Sequence, residues 1–258
     1  MVFKISTIQA NLEWENKRAN LRLFENAFKE VDHDAQLVIL PEMFSTGFTM
    51  DPLKHAESMN GKSIKWMKTF AEKLDTTLCG SLIIEENGCY FNRLLVVNQK
   101  GEIKTYDKKH LFRYADEHQH YSAGSSHLIL SIHQVKLAFF ICYDLRFPVW
   151  TRNTHLKYDV AIYIANWPEA RSSHWNALLK ARAIENQAYT VGVNRIGDDK
   201  NGISHSGDSA VYNPKGEKIS ITNPHEYKVE NISLDIEKLY EYRSKFPTHL
   251  DADQFKLL

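Results

Sequence analysis

The chain has 258 residues, 43% hydrophobic and 25% charged, and its 32 basic residues balance 32 acidic ones. A chain of this length and composition can bury a sizeable globular core. Its zero formal charge lacks the basic footprint of a nucleic-acid binder or a membrane-surface protein. The N-terminus, MVFKISTIQANLEWENKR, turns polar after a short apolar stretch. No stretch reaches the roughly 20 apolar residues of a membrane span, so neither a secretory leader nor a membrane partner is expected and the expected location is cytoplasmic. Three cysteines, Cys79, Cys89 and Cys142, are an odd number, which argues against a disulfide framework and for a reducing compartment.

Taken in chain order, apolar runs rich in β-branched and aromatic residues recur at 3–9, 35–42, 77–84, 90–98, 136–144, 158–166, 188–195, 208–213 and 231–236. Each is predicted to be a strand, several of them buried on both faces. Helical spacing lies between some of them. Leu21, Phe24, Phe28 and Val31 step by 3, 4 and 3, predicting an amphipathic helix over about residues 15–32. Ile64, Met67, Phe70 and Leu74 repeat that pattern, and residues 172–187 combine a serine start with strong helix formers. The segments 98–102 and 213–217 share Asn-x-Lys-Gly-Glu, the same hairpin-turn chemistry used twice. No linker or low-complexity tract interrupts the chain, so residues 1–258 are expected to form one α/β domain with sheet layers covered by helices.

The stretch AFFICYDLRFPVW (138–150) raises the chemical question. A predicted buried strand ends in Cys142, and the segment after it could start a helix, with Asp144 as cap and Pro148 in the first turn. A thiol facing helix N–H groups would have its pKa lowered, and the same groups could hold an oxyanion. Taken alone, however, a cysteine at a strand end is more often a small core residue. Two other strand ends carry charge: Glu42 follows Pro41 after LVIL, and Lys108 and Lys109 follow TYD. A solvated carboxylate and a charged hairpin end are the bland readings, although α/β proteins place catalytic groups at such ends. The HQH at 118–120 lacks the ligand spacing of a zinc site and reads as exposed loop histidines; no metal is expected.

Together, Leu-Pro-Glu at 40–42, Tyr-Asp-Lys-Lys-His-Leu-Phe at 106–112 and Cys-Tyr-Asp-Leu-Arg-Phe-Pro at 142–148 resemble the nitrilase superfamily of carbon–nitrogen hydrolases, in order and approximate spacing. The resemblance covers nearly the whole chain. It implies a four-layer α-β-β-α sandwich, commonly dimeric, hence a homodimer, with Glu42 as general base and Cys142 as nucleophile. The family's Lys-x-His pattern selects Lys108 over Lys109, and neighbouring strand residues point to opposite faces. A family glutamate seven residues before a glycine selects Glu117, ahead of Gly124. Lys108 and the Tyr143 backbone N–H would hold the oxyanion, and no cofactor is implied.

The stretches EMFSTGF, DKKHLFRYADEHQHYSAG and CYDLRFPVWTRN most resemble the ω-amidase branch, which releases ammonia from 2-oxoglutaramate and 2-oxosuccinamate. A substrate carboxylate wants a bidentate arginine, and Arg113 is the leading candidate, with Phe48 and Trp167 as pocket walls. Arg146 is expected to pair with an acidic neighbour, and Cys79 and Cys89 are expected to be core thiols. A carbamoylase, aliphatic amidase or nitrilase would share the nucleophile with a different pocket. A binding module on the same fold has no need of that nucleophile, and a papain-like hydrolase would need a histidine motif that is lacking.

Overall fold

The computed structural model describes residues 1–255. The strands are β1 (Val2–Gln9), β2 (Leu37–Ile39), β3 (Thr77–Glu86), β4 (Cys89–Val97), β5 (Ile103–Asp107), β6 (Leu128–Ile132), β7 (Val135–Ile141), β8 (Val160–Ala165), β9 (Tyr189–Asn194), β10 (Ile196–Asp198), β11 (Ser204–Ser206), β12 (Ala210–Tyr212) and β13 (Lys228–Asp235). The helices are α1 (Lys17–Ala27), α2 (Pro52–His55), α3 (Lys62–Lys73), α4 (Glu117–His120), α5 (Pro148–Thr151), α6 (Ser172–Asn186) and α7 (Ile236–Lys245).

Two sheets hold most strands, in the orders β13-β1-β2-β3-β4-β5 and β12-β9-β8-β7-β6. In each, the central strands run parallel: β1, β2 and β3 in the first, β7, β8 and β9 in the second. These strands read as continuous apolar runs because both of their faces are covered. Alternation then sorts the side chains. Phe3, Ile5, Leu37, Ile39, Leu94 and Val96 join Leu137, Phe139 and Ile162 in one buried cluster between the sheets. Val38, Leu40, Leu78 and Leu95 alternate with them and meet Phe24 of α1 and Ile64 and Met67 of α3. On the far side α6 packs on β9 and β12 through Trp175, Leu179 and Ala183. The layers are therefore α-β-β-α, as the resemblance implied.

Some elements differ from the sequence expectation. The run 35–42 keeps only three ladder residues, since Pro41 has no N–H to give and ends the pairing. In β6 half-buried and exposed positions alternate at an edge, a weak apolar signal that the sequence reading passed over. Cys79 is buried as expected, whereas Cys89, the first residue of β4, is exposed and is no core thiol. No described helix is long and apolar enough to cross a membrane.

Helix α7 was also not foreseen, because its fastening is polar. Asp235 caps it through the Lys238 N–H, and buried Arg243 donates to Asp159 Oδ1 at 2.7 Å and to the Gln187 and Tyr158 carbonyls. Removing one partner of a buried ion pair strands the other charge. Asp159→Ala is expected to cost about 3–5 kcal/mol in urea unfolding; a loss below about 1 kcal/mol would show that α7 does not depend on this pair.

Candidate active site

Three chain segments leave the two sheets and converge. Beyond β2 the chain stays extended, with the Leu40 N–H donating to the Cys79 carbonyl at 2.8 Å. It turns at Met43, whose φ of +43° is unusual for a residue with a side chain. Ser81 holds that turn, its hydroxyl accepting the Met43 N–H at 2.8 Å and its carbonyl the Phe44 N–H at 3.2 Å. Gly80 leaves room for it: a Cβ there would lie 2.8 Å from the Phe44 ring. Glu42, on the inner side of this turn, is fully buried. Past β5, the Lys108 N–H donates to the Asn92 carbonyl at 3.0 Å and the Lys108 carbonyl accepts the Gly124 N–H at 2.9 Å. The Lys108 side chain is fully buried, while Lys109 points elsewhere, its ammonium 5.3 Å from the Trp150 ring centre.

Cys142 follows β7 with φ +45°, a second left-handed position, and opens a 3-10 turn, Cys142–Arg146. Asp144 does not cap a helix as expected. It sits inside this turn as a buried hub, its carboxylate accepting from the Ile141 N–H at 3.0 Å, the Tyr106 hydroxyl at 2.7 Å and the His110 N–H at 3.0 Å. Pro148 does begin a helix, as the first residue of α5. Tyr143 follows Cys142 in the first turn, where backbone N–H groups lack an intrahelical acceptor.

The charged groups meet at Lys108. Its Nζ lies 2.9 Å from Glu42 Oε1 and 3.0 Å from Glu117, all three side chains fully buried. Glu117, the first residue of α4, also accepts the Phe112 N–H at 2.6 Å. Asn92 Nδ2 donates to Glu42 at 2.7 Å and reaches Glu117 at 3.4 Å. Asn166, just past β8, donates its backbone N–H to Glu42 Oε2 at 2.8 Å and its side-chain Nδ2 to the Glu42 carbonyl at 2.6 Å. Burial works against the Lys108 ammonium, but Glu117 and Glu42 outweigh it and raise its pKa, so it stays charged. Burial raises Glu117, with Glu42 adding to the effect against Lys108. The Cys142 thiol is raised well above its usual value, first by burial and then by Glu42, and Lys108 only partly offsets this. This reverses the expectation of a lowered thiol pKa: burial together with two carboxylates outweighs one ammonium, and the turn at Cys142 is not the start of a long helix.

The thiol lies on a cavity of about 540 Å³ lined by Lys108, Phe48, Trp167, Arg146 and Arg171 among others. Phe48 sits with its ring centre 4.8 Å from Lys108 Nζ, and Trp167 stacks under the Arg146 guanidinium at 4.7 Å. Arg113 is elsewhere. It is exposed, in the 3-10 turn that follows Phe112, beside Lys109, His110 and Phe147 in a separate depression, because that turn carries its side chain away from the thiol. Arg146 has no acidic neighbour among the described residues; it meets Trp167 and, at 3.1 Å, His174 Nδ1. Burial lowers its pKa and nearby Arg171 adds to that. Sequence reasoning missed Asn92, Asn166 and Arg171. Asn166 had a signal, since it ends its strand as Glu42 ends its own; Asn92 lies inside a strand and had none.

A thiol held protonated reacts with a neutral alkylating agent in proportion to its small thiolate fraction. Its raised pKa places that fraction on the rising limb throughout the neutral range. Iodoacetamide labelling of Cys142, followed by peptide mass, should accelerate about tenfold per pH unit from pH 6 to 9. A rate already level at pH 7 would show a thiolate at rest and contradict this electrostatic picture.

The chain matches a known family over most of its length. The carbon-nitrogen hydrolase family matches residues 4–244. The chain is 43% identical over 254 residues to an omega-amidase of Escherichia coli strain K12, covering 98% of each. It is 31% identical to a 2-oxoglutaramate amidase of Bacillus subtilis strain 168, over 97% of this chain and 98% of that one. The crystal structure of XC1258 from Xanthomonas campestris, a CN-hydrolase superfamily protein with an arsenic adduct in its active site, superposes with a TM-score of 0.97 at 35% identity over the full length of both. Fold and kinship agree, and the chain belongs to the carbon–nitrogen hydrolase family.

Proposed function

We propose that this protein hydrolyses the ω-amide of small 2-oxo dicarboxylic acid monoamides, such as 2-oxoglutaramate and 2-oxosuccinamate, releasing ammonia and the 2-oxo dicarboxylate. The similarity to an omega-amidase and a 2-oxoglutaramate amidase supports the class of reaction. The observation that carries the substrate is the pair Arg146 and Arg171 on the cavity wall. Neither guanidinium has a carboxylate partner among the described residues, and both lie on the cavity that holds the thiol. Two unpaired guanidiniums suit the α-carboxylate and 2-oxo group of such a substrate, and they replace Arg113 in that role.

The chemistry follows from the charges. Cys142 sulfur attacks the amide carbon as its proton passes to Glu42. The carbonyl oxygen becomes an oxyanion, stabilised by Lys108 and the Tyr143 N–H. An ammonium has three donors; Glu42 and Glu117 take two from Lys108, leaving the third for this oxyanion. Glu42 then protonates the leaving nitrogen, the carbon–nitrogen bond breaks, and ammonia departs from a Cys142 thioester. Water, giving its proton to Glu42, attacks that thioester, releases the acid and restores the thiol. Glu117 holds Lys108 in place throughout.

Ammonia release from 2-oxoglutaramate, compared with a neutral amide such as butyramide, tests the reading. Cys142→Ala should abolish both activities. Arg146→Ala and Arg171→Ala should each raise KM for the keto-acid amide about 10- to 100-fold, as loss of a charge-assisted hydrogen bond does, while KM for the neutral amide stays within about twofold. Unchanged KM in both variants, with a rise in Arg113→Ala instead, would overturn the carboxylate assignment.

A further inference from the structure

Several buried side-chain atoms lack a hydrogen-bond partner among the described residues, and of these Asn166 Oδ1 belongs to a residue lining the thiol cavity. The orientation of its amide is settled by its neighbour. Nδ2 must face the Glu42 carbonyl, 2.6 Å away, because a carbonyl can only accept. Oδ1 is therefore the free end, and the residue is only 5% exposed. An unsatisfied buried acceptor is costly and calls for a reason.

We propose that Asn166 Oδ1 accepts an N–H from the scissile amide nitrogen and is a specificity-determining group for amides over esters. The proposal rests on the amide-hydrolase reading of the cavity. Asn166 and Glu42 are interlocked by two hydrogen bonds, the second being the Asn166 N–H to Glu42 Oε2 at 2.8 Å. A nitrogen placed to receive a proton from Glu42 therefore lies alongside Asn166. Accepting one of its N–H groups turns the nitrogen lone pair, which forms as the carbon becomes tetrahedral, toward the Glu42 proton. An ester oxygen has no hydrogen to offer and would set its lone pairs against Oδ1. A site built to hydrogen-bond an N–H rejects the analogue that lacks it.

The test compares kcat/KM for 2-oxoglutaramate with that for its ω-methyl ester. Both form the same thioester, so the ratio reports acylation alone. Asn166→Leu should lower the amide-to-ester ratio by about tenfold or more. A merely structural role, holding Glu42, would slow both substrates alike and leave the ratio unchanged, which would overturn the proposal. Asn166→Asp keeps an acceptor while losing the Nδ2 donor, so it should slow both substrates yet retain a ratio near that of the wild type; a collapse of its ratio to the Asn166→Leu value would also count against the role given to Oδ1. A wild-type protein inactive on both substrates would instead overturn the amide-hydrolase reading itself.

Discussion

One buried ammonium shared by two buried carboxylates governs this molecule. Lys108 sits 2.9 Å from Glu42 and 3.0 Å from Glu117 with no solvent reaching any of the three. Charges are tolerated in such a place only when paired and hydrogen-bonded. Asn92, Asn166 and the Phe112 N–H supply the remaining bonds to the carboxylates. Burial, and next the neighbouring Glu42, disfavour a further anion beside this cluster. Cys142 consequently rests as a thiol, and in the proposed mechanism Glu42 takes its proton as the carbon–sulfur bond forms. The thiol therefore becomes a strong nucleophile only when a carbonyl is in position to receive it.

Such a cluster demands a rigid mount, which the sandwich provides at the ends of its strands. Two residues are held in left-handed backbone there, Met43 beyond Glu42 and Cys142 itself. Each such residue costs on the order of 1–3 kcal/mol and persists only where the surroundings over-determine it. Ser81 and the close approach at Gly80 hold the first turn; the Asp144 carboxylate, gathering Tyr106, His110 and Ile141, holds the second. The two sheets contribute one turn each, so the carboxylate and the sulfur are fixed relative to one another by the central core rather than by a loop.

Much of this was legible in the sequence, for definite reasons. Central strands covered on both faces read as apolar runs, and Glu42 and Cys142 follow such runs; Lys108 follows the half-exposed edge strand β5, and it was the resemblance to the carbon–nitrogen hydrolases that joined the three. The Lys-x-His pattern of the resemblance selected Lys108 over Lys109, and the two side chains do diverge, although both lie past the end of β5. The remainder depended on contacts distant in sequence. Arg113 follows the conspicuous His-Leu-Phe stretch, yet a short 3-10 turn carries it outward, while Arg171, far along the chain, comes into the cavity. Arg146 looked like half of an ion pair because most half-buried arginines are paired; here an indole face and a histidine take that place. The thiol pKa was misjudged because a local helix was weighed without the burial of the thiol and the two carboxylates brought to it from elsewhere.

The most direct measurement is the mass of the intact protein quenched within milliseconds of mixing with 2-oxoglutaramate, followed by peptide mapping. The account predicts a transient adduct on Cys142 equal to the substrate less ammonia, formed as ammonia appears and cleared as the acid is released. Ammonia released at full rate with Cys142 never acylated, or with the adduct on another residue, would contradict it.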